Sequence, residues 1–331
     1  MVTRTLGKSG IEVSALGMGC WAIGGPWTWH NPGEDPWPAG WGQVDDQESM
    51  RAIHAALDAG VNLFDTAANY GAGHSEQVLG EALKGRRDQA VILTKFGHMV
   101  NEAEKVVYQD DDQILSNIRT DVENSLRRLQ TDFIDVYQLH QGSYDGELAL
   151  ELRGTLEDLV GEGKIRWYGW STDLVDRAQV FAEGEHCTSI QFSLNAIFDN
   201  PEMRALCQAQ DLAGINKDPL NRGILTGKFT PDSTFPKNDI RSETDFHEER
   251  IVKRLELVEA LREPLTSNGR TMAQGALAYI WALDERMIPI PGFRSVEQVR
   301  QNAEAMEFGP LSQSEVGRVQ KIVAERLLDK S

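Results

Sequence analysis

A chain of 331 residues, 40% hydrophobic and 25% charged, has the material for one large core and lacks the composition of a disordered segment. Its 51 Asp and Glu against 33 Lys and Arg leave a net charge of −18, which repels phosphate backbones and anionic lipid surfaces and argues against nucleic-acid and membrane partners. The three cysteines lack C-x-x-C spacing, and no apolar stretch has the length of a signal peptide or a membrane span, so the protein is expected to stay in a reducing cytoplasm.

In chain order, residues 3–6 and 11–13 flank Gly7-Lys8-Ser9-Gly10 and predict a hairpin that caps one end of a barrel. A buried strand over 15–20 follows, and further strand patterns at 61–65, 90–96, 133–140, 165–171, 189–195, 214–220 and 287–291 make eight. Amphipathic helical stretches separate them at 46–59, 75–84, 112–129, 148–162, 173–182, 201–210, 247–267 with 271–283, and 295–305. Strict alternation predicts a parallel sheet, and eight repeats predict closure into an α/β-class (β/α)8 TIM barrel, one domain over residues 1–331. A last helix over 312–328 begins with a Ser312/Glu315 capping box and packs outside the barrel.

Two connections are long, 22–45 after the first strand and 220–246 after the seventh. Both leave the C-terminal ends of strands, the face on which barrels build their sites. Gly17-Met18-Gly19-Cys20-Trp21-Ala22 fits the G-x-G-x-x-A dinucleotide fingerprint. The segment after it, Ile23-Gly24-Gly25-Pro26-Trp27, cannot start the helix that fingerprint needs, so a Rossmann fold is set aside.

Asp65, Tyr70, Lys95 and His140 fall at or just past the ends of strands two, three and four, which converge on one mouth. Each alone has an ordinary explanation as a cap, a wall aromatic, a surface charge or a core histidine. Together they make a proton-transfer set. A phenol with an intrinsic pKa near ~10 becomes a usable acid when a cation lies beside it. Lys95 supplies that cation, Asp65 anchors it, and His140 orients a carbonyl oxygen toward Tyr70.

The stretches Asn62-Leu-Phe-Asp-Thr-Ala-Ala-Asn-Tyr70-Gly, Leu93-Thr-Lys95-Phe, Asp135-Val-Tyr-Gln-Leu-His140 and Ser75-Glu76-Gln77-Val-Leu-Gly80 resemble the aldo-keto reductase superfamily, from about Thr5 to about Met306. The branch most resembled includes bacterial inositol-region reductases and potassium-channel β subunits. The resemblance implies a catalytic tetrad of Asp65, Tyr70, Lys95 and His140 and an extended NADPH, with NADH as second choice. It also implies nicotinamide contacts from Trp21, Ser171, Thr172 and Gln191, with Thr172 departing from a frequent Asn. Lys217 stands where many members carry a stacking tyrosine. Pro219, Leu220, Gly223, Leu225, Gly227 and Lys228 match a loop over the pyrophosphate, and Gly292, Arg294, Gln298 and Asn302 match the adenosine 2′-phosphate segment, where Gln298 replaces a frequent Arg.

The expected function is reduction of an aldehyde or ketone, hydride coming from the nicotinamide and the proton from Tyr70. The alternatives are a cofactor-sensing regulatory subunit with slow turnover, and an NAD(P)+-dependent sugar or cyclitol dehydrogenase. Trp21, Trp27, Trp29, Trp37 and Trp41 either wall a pocket for a sugar-derived or aromatic carbonyl or give the 22–45 connection its own small core. The seven histidines show no metal-binding spacing, so no metal is expected; the oligomeric state is not readable from the sequence, with a monomer favoured.

Overall fold

In the computed structural model, residues 2–31 and 33–328 are described; Met1, Pro32 of the tryptophan-rich connection and residues 329–331 of the expected domain lie outside them. Barrel strands one to eight are Gly17–Gly19, Leu63–Asp65, Val91–Phe96, Ile134–Leu139, Ile165–Ser171, Cys187–Ser193, Ala213–Lys217 and Met287–Pro289. Each pairs in parallel with its neighbour in sequence, so the fold is the expected (β/α)8 barrel.

The seam between first and last strands explains the glycine fingerprint. Gly19 bridges in parallel to Gly292, and its N–H donates to Pro291 O at 3.0 Å. A Cβ on Gly19 would stand 2.7 Å from Ile290 O, and one on Gly17 would stand 2.4 Å from Leu63 Cδ2. Only glycine lets the strand ends approach this closely. Ala22–Gly24 then forms a single 3-10 turn, not the start of an α-helix.

Strand residues alternate between two cores. Leu63, Val91, Leu93, Val136, Ala213, Ile215, Ile288 and Ile290 fill the lower interior. Leu6 and Val13, from the antiparallel hairpin Thr3–Thr5/Glu12–Ser14, plug its base. Phe64, Ile92, Tyr137, Trp170 and Phe192 belong to the outer layer between sheet and helices. Each fully buried Leu, Ile or Phe contributes about 1.5–3 kcal/mol of transfer free energy. The base of the barrel is therefore dry packing, and polar inward positions are confined to its upper end.

Helices fill the expected stretches with small shifts at their ends. One differs in kind: the predicted 247–267 helix stops at Ala260 and resumes as the short turn Arg262–Leu265, since Pro264 has no N–H to continue the ladder. Strand seven ends at Lys217, earlier than expected, because Asp218 takes a left-handed conformation with φ 53. The Ser312 capping box is present: Glu315 N donates to Ser312 Oγ, and Ser312 N donates to Glu315 Oε2 at 2.7 Å.

The 22–45 connection is not a plain loop. Thr28–Trp29 pairs antiparallel with Trp37–Pro38 and parallel with Val106–Tyr108, which pairs with Met99–Asn101. This small sheet stands over the mouth of the barrel. Its two- and three-residue strands are too short for a periodicity signal, and Thr28–Trp29 finds its parallel partner 78 residues along the chain. The connection also meets the 220–246 segment: Ile240 N donates to Gly40 O at 2.7 Å and Gly42 N to Asn238 O at 3.2 Å.

Candidate active site

Above the apolar layers, the inward positions of strands two to six are Asp65, Lys95, Gln138, Ser171 and Gln191, all buried. Lys95 Nζ donates to Asp65 Oδ2 at 2.7 Å, to Thr66 O at 2.9 Å and to the Tyr70 hydroxyl at 3.3 Å, which uses all three ammonium protons. Asp65 Oδ1 accepts from Gln191 Nε2 at 2.7 Å and Gln138 Nε2 at 3.2 Å. The ion pair is thus satisfied on both sides, the condition under which a buried pair holds its geometry.

Tyr70 sits on the turn after strand two, where Gly71 has φ 64 and a Cβ would lie 1.9 Å from Gly24 O. Its ring is stacked on Trp21 at 5.7 Å and 17°, and His140 meets it edge-on at 5.7 Å and 81°. Four side chains scattered over residues 65–140 are thereby brought to one point. Burial raises the Tyr70 phenol well above its usual value, with Asp65, Asp218 and Cys20 adding to the effect. Lys95 by itself would make the phenol more acidic, the direction expected from the sequence. The correction follows from the ion pair: Asp65 offsets the lysine charge, and burial dominates. Burial also lowers Lys95, against the pull of Asp65. His140 is held well below its ordinary value by burial first, then by His98, Lys95 and Lys217, so its imidazole is neutral at pH 7.

These groups open into a cavity of about 790 Å³. Of the residues expected at a cofactor, Trp21, Ser171, Gln191, Lys217, Pro219, Leu220, Gly223, Lys228, Gly292, Arg294, Gln298 and Asn302 line it. Trp27, Trp29, Trp37 and Trp41 line it too. Trp27 also packs with Ala39, Ala72 and Val107 in a small core of its own, so pocket wall and local core coexist.

Three expected contacts do not reach the cavity. The Thr172 hydroxyl donates to Gly142 O at 2.6 Å and accepts from Leu174 N at 3.0 Å, a turn-fixing role. Leu225 is fully buried in the hydrophobic core, and Gly227 is the left-handed end of the turn Asn221–Thr226. Lys95 lies behind Tyr70, with its ammonium on the phenol oxygen.

Two others are engaged otherwise than expected. Lys217 Nζ is 3.2 Å from Asp173 Oδ2. At the start of the Val296–Phe308 helix, Val296 N donates to the Glu48 carboxylate at 2.9 Å and Gln298 Oε1 accepts from Arg294 N at 2.7 Å. A carboxylate thus already occupies part of the helix end within the segment expected at the adenosine 2′-phosphate.

The match to protein families follows this geometry. Residues 15–324 fit the aldo/keto reductase family model, nearly the whole barrel. The chain belongs to the aldo/keto reductase family. Aldo-keto reductase YhdN of Bacillus subtilis (strain 168) is 33% identical over 292 residues, 86% of this chain and 82% of that protein. The structure of the glycerol dehydrogenase AKR11B4 from Gluconobacter oxydans superposes with a TM-score of 0.79 at 32% identity, covering 96% of this chain and 93% of that one. An aldo/keto reductase from Klebsiella pneumoniae in complex with NADP and acetate gives a TM-score of 0.68 at 26% identity, covering 97% and 95%. This aldo/keto reductase is an NAD(P)H-dependent oxidoreductase of the carbonyl-reducing type.

Several residues in and around the site were not singled out from the sequence. Gln138 lies two positions before His140, so strand periodicity could have placed it inward. Arg222 and Arg241 come from the 220–246 connection, and Arg241 lies 4.6 Å from the Trp41 ring centroid and 3.9 Å from that of Phe235. His98 follows Gly97 at the end of strand three, its ring 5.0 Å from that of His140. Nothing in the sequence distinguished it from the other histidines. Glu76, in the matched Ser75-Glu76-Gln77 stretch, accepts from Thr94 Oγ1 at 2.5 Å and Arg128 Nε at 2.6 Å, which pins strand three beside Lys95.

Proposed function

We propose that the protein reduces an aldehyde or ketone to an alcohol with NADPH, NADH serving as the weaker donor, and that Tyr70 delivers the proton. The observation that carries this reading is the buried Asp65–Lys95–Tyr70 chain with neutral His140 beside the phenol. The donor set fits an extended dinucleotide. Arg222, Lys228 and Arg294 line the cavity in a chain whose net charge is −18, and uncharged Ser171 and Gln191 line it as well. Cations kept in one cavity of an acidic protein suit a polyanion.

When bound, the nicotinamide supplies a hydride to the carbonyl carbon. Tyr70 is protonated throughout the neutral range, since burial raises it, and so it is a donor in its resting form. Lys95 holds the phenol oxygen and stabilises the charge left there when the proton moves to the alkoxide. Among the described residues, His140 Nδ1 is buried without a partner, and the neutral ring can carry its proton on Nε2 for a carbonyl oxygen. Trp21 and Trp41, perpendicular to each other at 5.3 Å, keep water from the reacting carbon. Arg294 favours the 2′-phosphate, and Glu48 at the helix end tempers that preference. Three free, buried cysteines suit a reducing cytoplasm.

The second reading, net alcohol oxidation by the same groups with Tyr70 as base, is favoured by the structural likeness to a glycerol dehydrogenase. Nicotinamide absorbance followed with NADPH and NADH against aromatic aldehydes, dicarbonyls and keto-sugars, and with NADP+ against polyols, decides between them. Reduction that disappears in Tyr70→Phe supports the proposal; reduction that persists in Tyr70→Phe overturns it.

A further inference from the structure

His98 is a pocket residue without a role in the proton-transfer set. It stands just past strand three, where Gly97, with φ 106, turns the chain over the barrel mouth toward the Met99–Asn101 strand. Its ring meets His140 at 5.0 Å and 62°, and Trp29 packs edge-on against it at 4.9 Å and 79°. Trp29 is itself held by pairing with Trp37 and Val107 and by the bond from its Nε1 to Asn31 Oδ1 at 2.6 Å. The His98 ring is therefore clamped in place. Among the described residues, no protein group hydrogen-bonds either of its nitrogens, and the residue lines the same cavity as Tyr70 and His140.

The half-buried ring opens on the cavity, so a bound ligand can supply the hydrogen-bond partner that the protein does not. Hydrogen bonds reach about 3 Å, so two imidazoles with ring centroids 5.0 Å apart on one cavity can reach oxygens on neighbouring carbons of one ligand. We propose that His98 is a specificity residue that reads a second oxygen, hydroxyl or carbonyl, on the carbon adjacent to the reacting carbonyl. The preferred substrates are then α-hydroxy carbonyls or vicinal dicarbonyls. This rests on the carbonyl-reductase reading above: Tyr70 and His140 take the reacting oxygen, and His98 takes its neighbour.

The ring addresses neutral partners. Burial pushes His98 down to about 4, so it is uncharged at neutral pH and can donate from one nitrogen and accept at the other. An uncharged imidazole gives no ionic pull on a carboxylate, which sets a neutral hydroxyl or carbonyl ahead of a 2-oxo acid.

The test compares propanal with 2-hydroxypropanal, two aldehydes on one carbon skeleton, in the wild type and in His98→Leu and His98→Gln. The hydroxyl's own activation of the carbonyl is common to all three proteins and cancels when their kcat/KM ratios are compared. The expected result is that the 2-hydroxypropanal to propanal ratio falls at least tenfold in His98→Leu, and that His98→Gln, which keeps a donor and an acceptor, recovers part of it. A ratio unchanged in His98→Leu, with both aldehydes still reduced, overturns the role of His98 and leaves the reductase reading standing. Failure of the wild type to reduce either aldehyde, or any carbonyl of the wider panel, overturns the reductase reading and His98's role with it.

Discussion

The indole of Trp21 lies 5.7 Å from the Tyr70 ring at an interplanar angle of 17°, a stack between the residue that opens the 22–45 connection and the phenol at the head of the lysine ion pair. Such a pair is worth about 0.5–1.5 kcal/mol beyond its buried area. It limits the phenol to one tilt over Lys95. Trp21→Ala should lower kcat for carbonyl reduction roughly tenfold, with a smaller effect on thermal stability, since Trp21 is only partly buried. Steady-state kinetics beside a melting curve separates the two effects.

Tyr70→Phe removes the donor and leaves the cavity shape. Carbonyl reduction should fall about 10²- to 10⁴-fold. Binding of NADPH, followed through quenching of the pocket tryptophans, should stay within a few-fold of wild type, because the cationic wall of the cavity is untouched.

The Lys95–Asp65 pair is buried on both sides, at 0% and 3% side-chain exposure. Lys95→Met strands the carboxylate and should cost about 3–5 kcal/mol of stability at neutral pH. The double variant Lys95→Met with Asp65→Asn should recover part of that loss in denaturant unfolding, while activity stays absent in both.

The pH profile follows from the directions of the shifts. Tyr70 is raised, so it stays protonated from neutral pH into the alkaline range; His140 is lowered, so it stays neutral down into the acid range. Reduction should therefore show no titration limb between about pH 5 and 9 from these groups. Oxidation of the alcohol needs the phenolate, and its rate should climb with pH across the same window. An acid-activated limb near neutrality in reduction, measured as kcat/KM against pH, would contradict a neutral His140.

Arg294→Ala tests the cofactor end. The KM for NADPH should rise about tenfold or more relative to that for NADH, the worth of a charge-assisted contact to phosphate. Equal changes for both cofactors would place the 2′-phosphate elsewhere.

The sequence by itself determined the barrel and its eight strands, because period-two strands and period-3.6 helices are local signals, and it offered Asp65, Tyr70, Lys95 and His140 as one candidate set at the strand ends. Asp65, Lys95 and His140 were legible as a set since parallel strands must end on one face. Only the tertiary structure decided what lies across the chain. It put Gly17 and Gly19 at the barrel seam, folded the tryptophan connection into a sheet with residues 99–108, and set Gln138 on Asp65. It also set His98 against His140 and Glu48 on the Val296 amide. These are contacts between segments that have no periodic relation to one another. Even the direction of the Tyr70 shift depended on burial and on the Asp65 charge cancelling that of Lys95, quantities that exist only once the chain has closed around them.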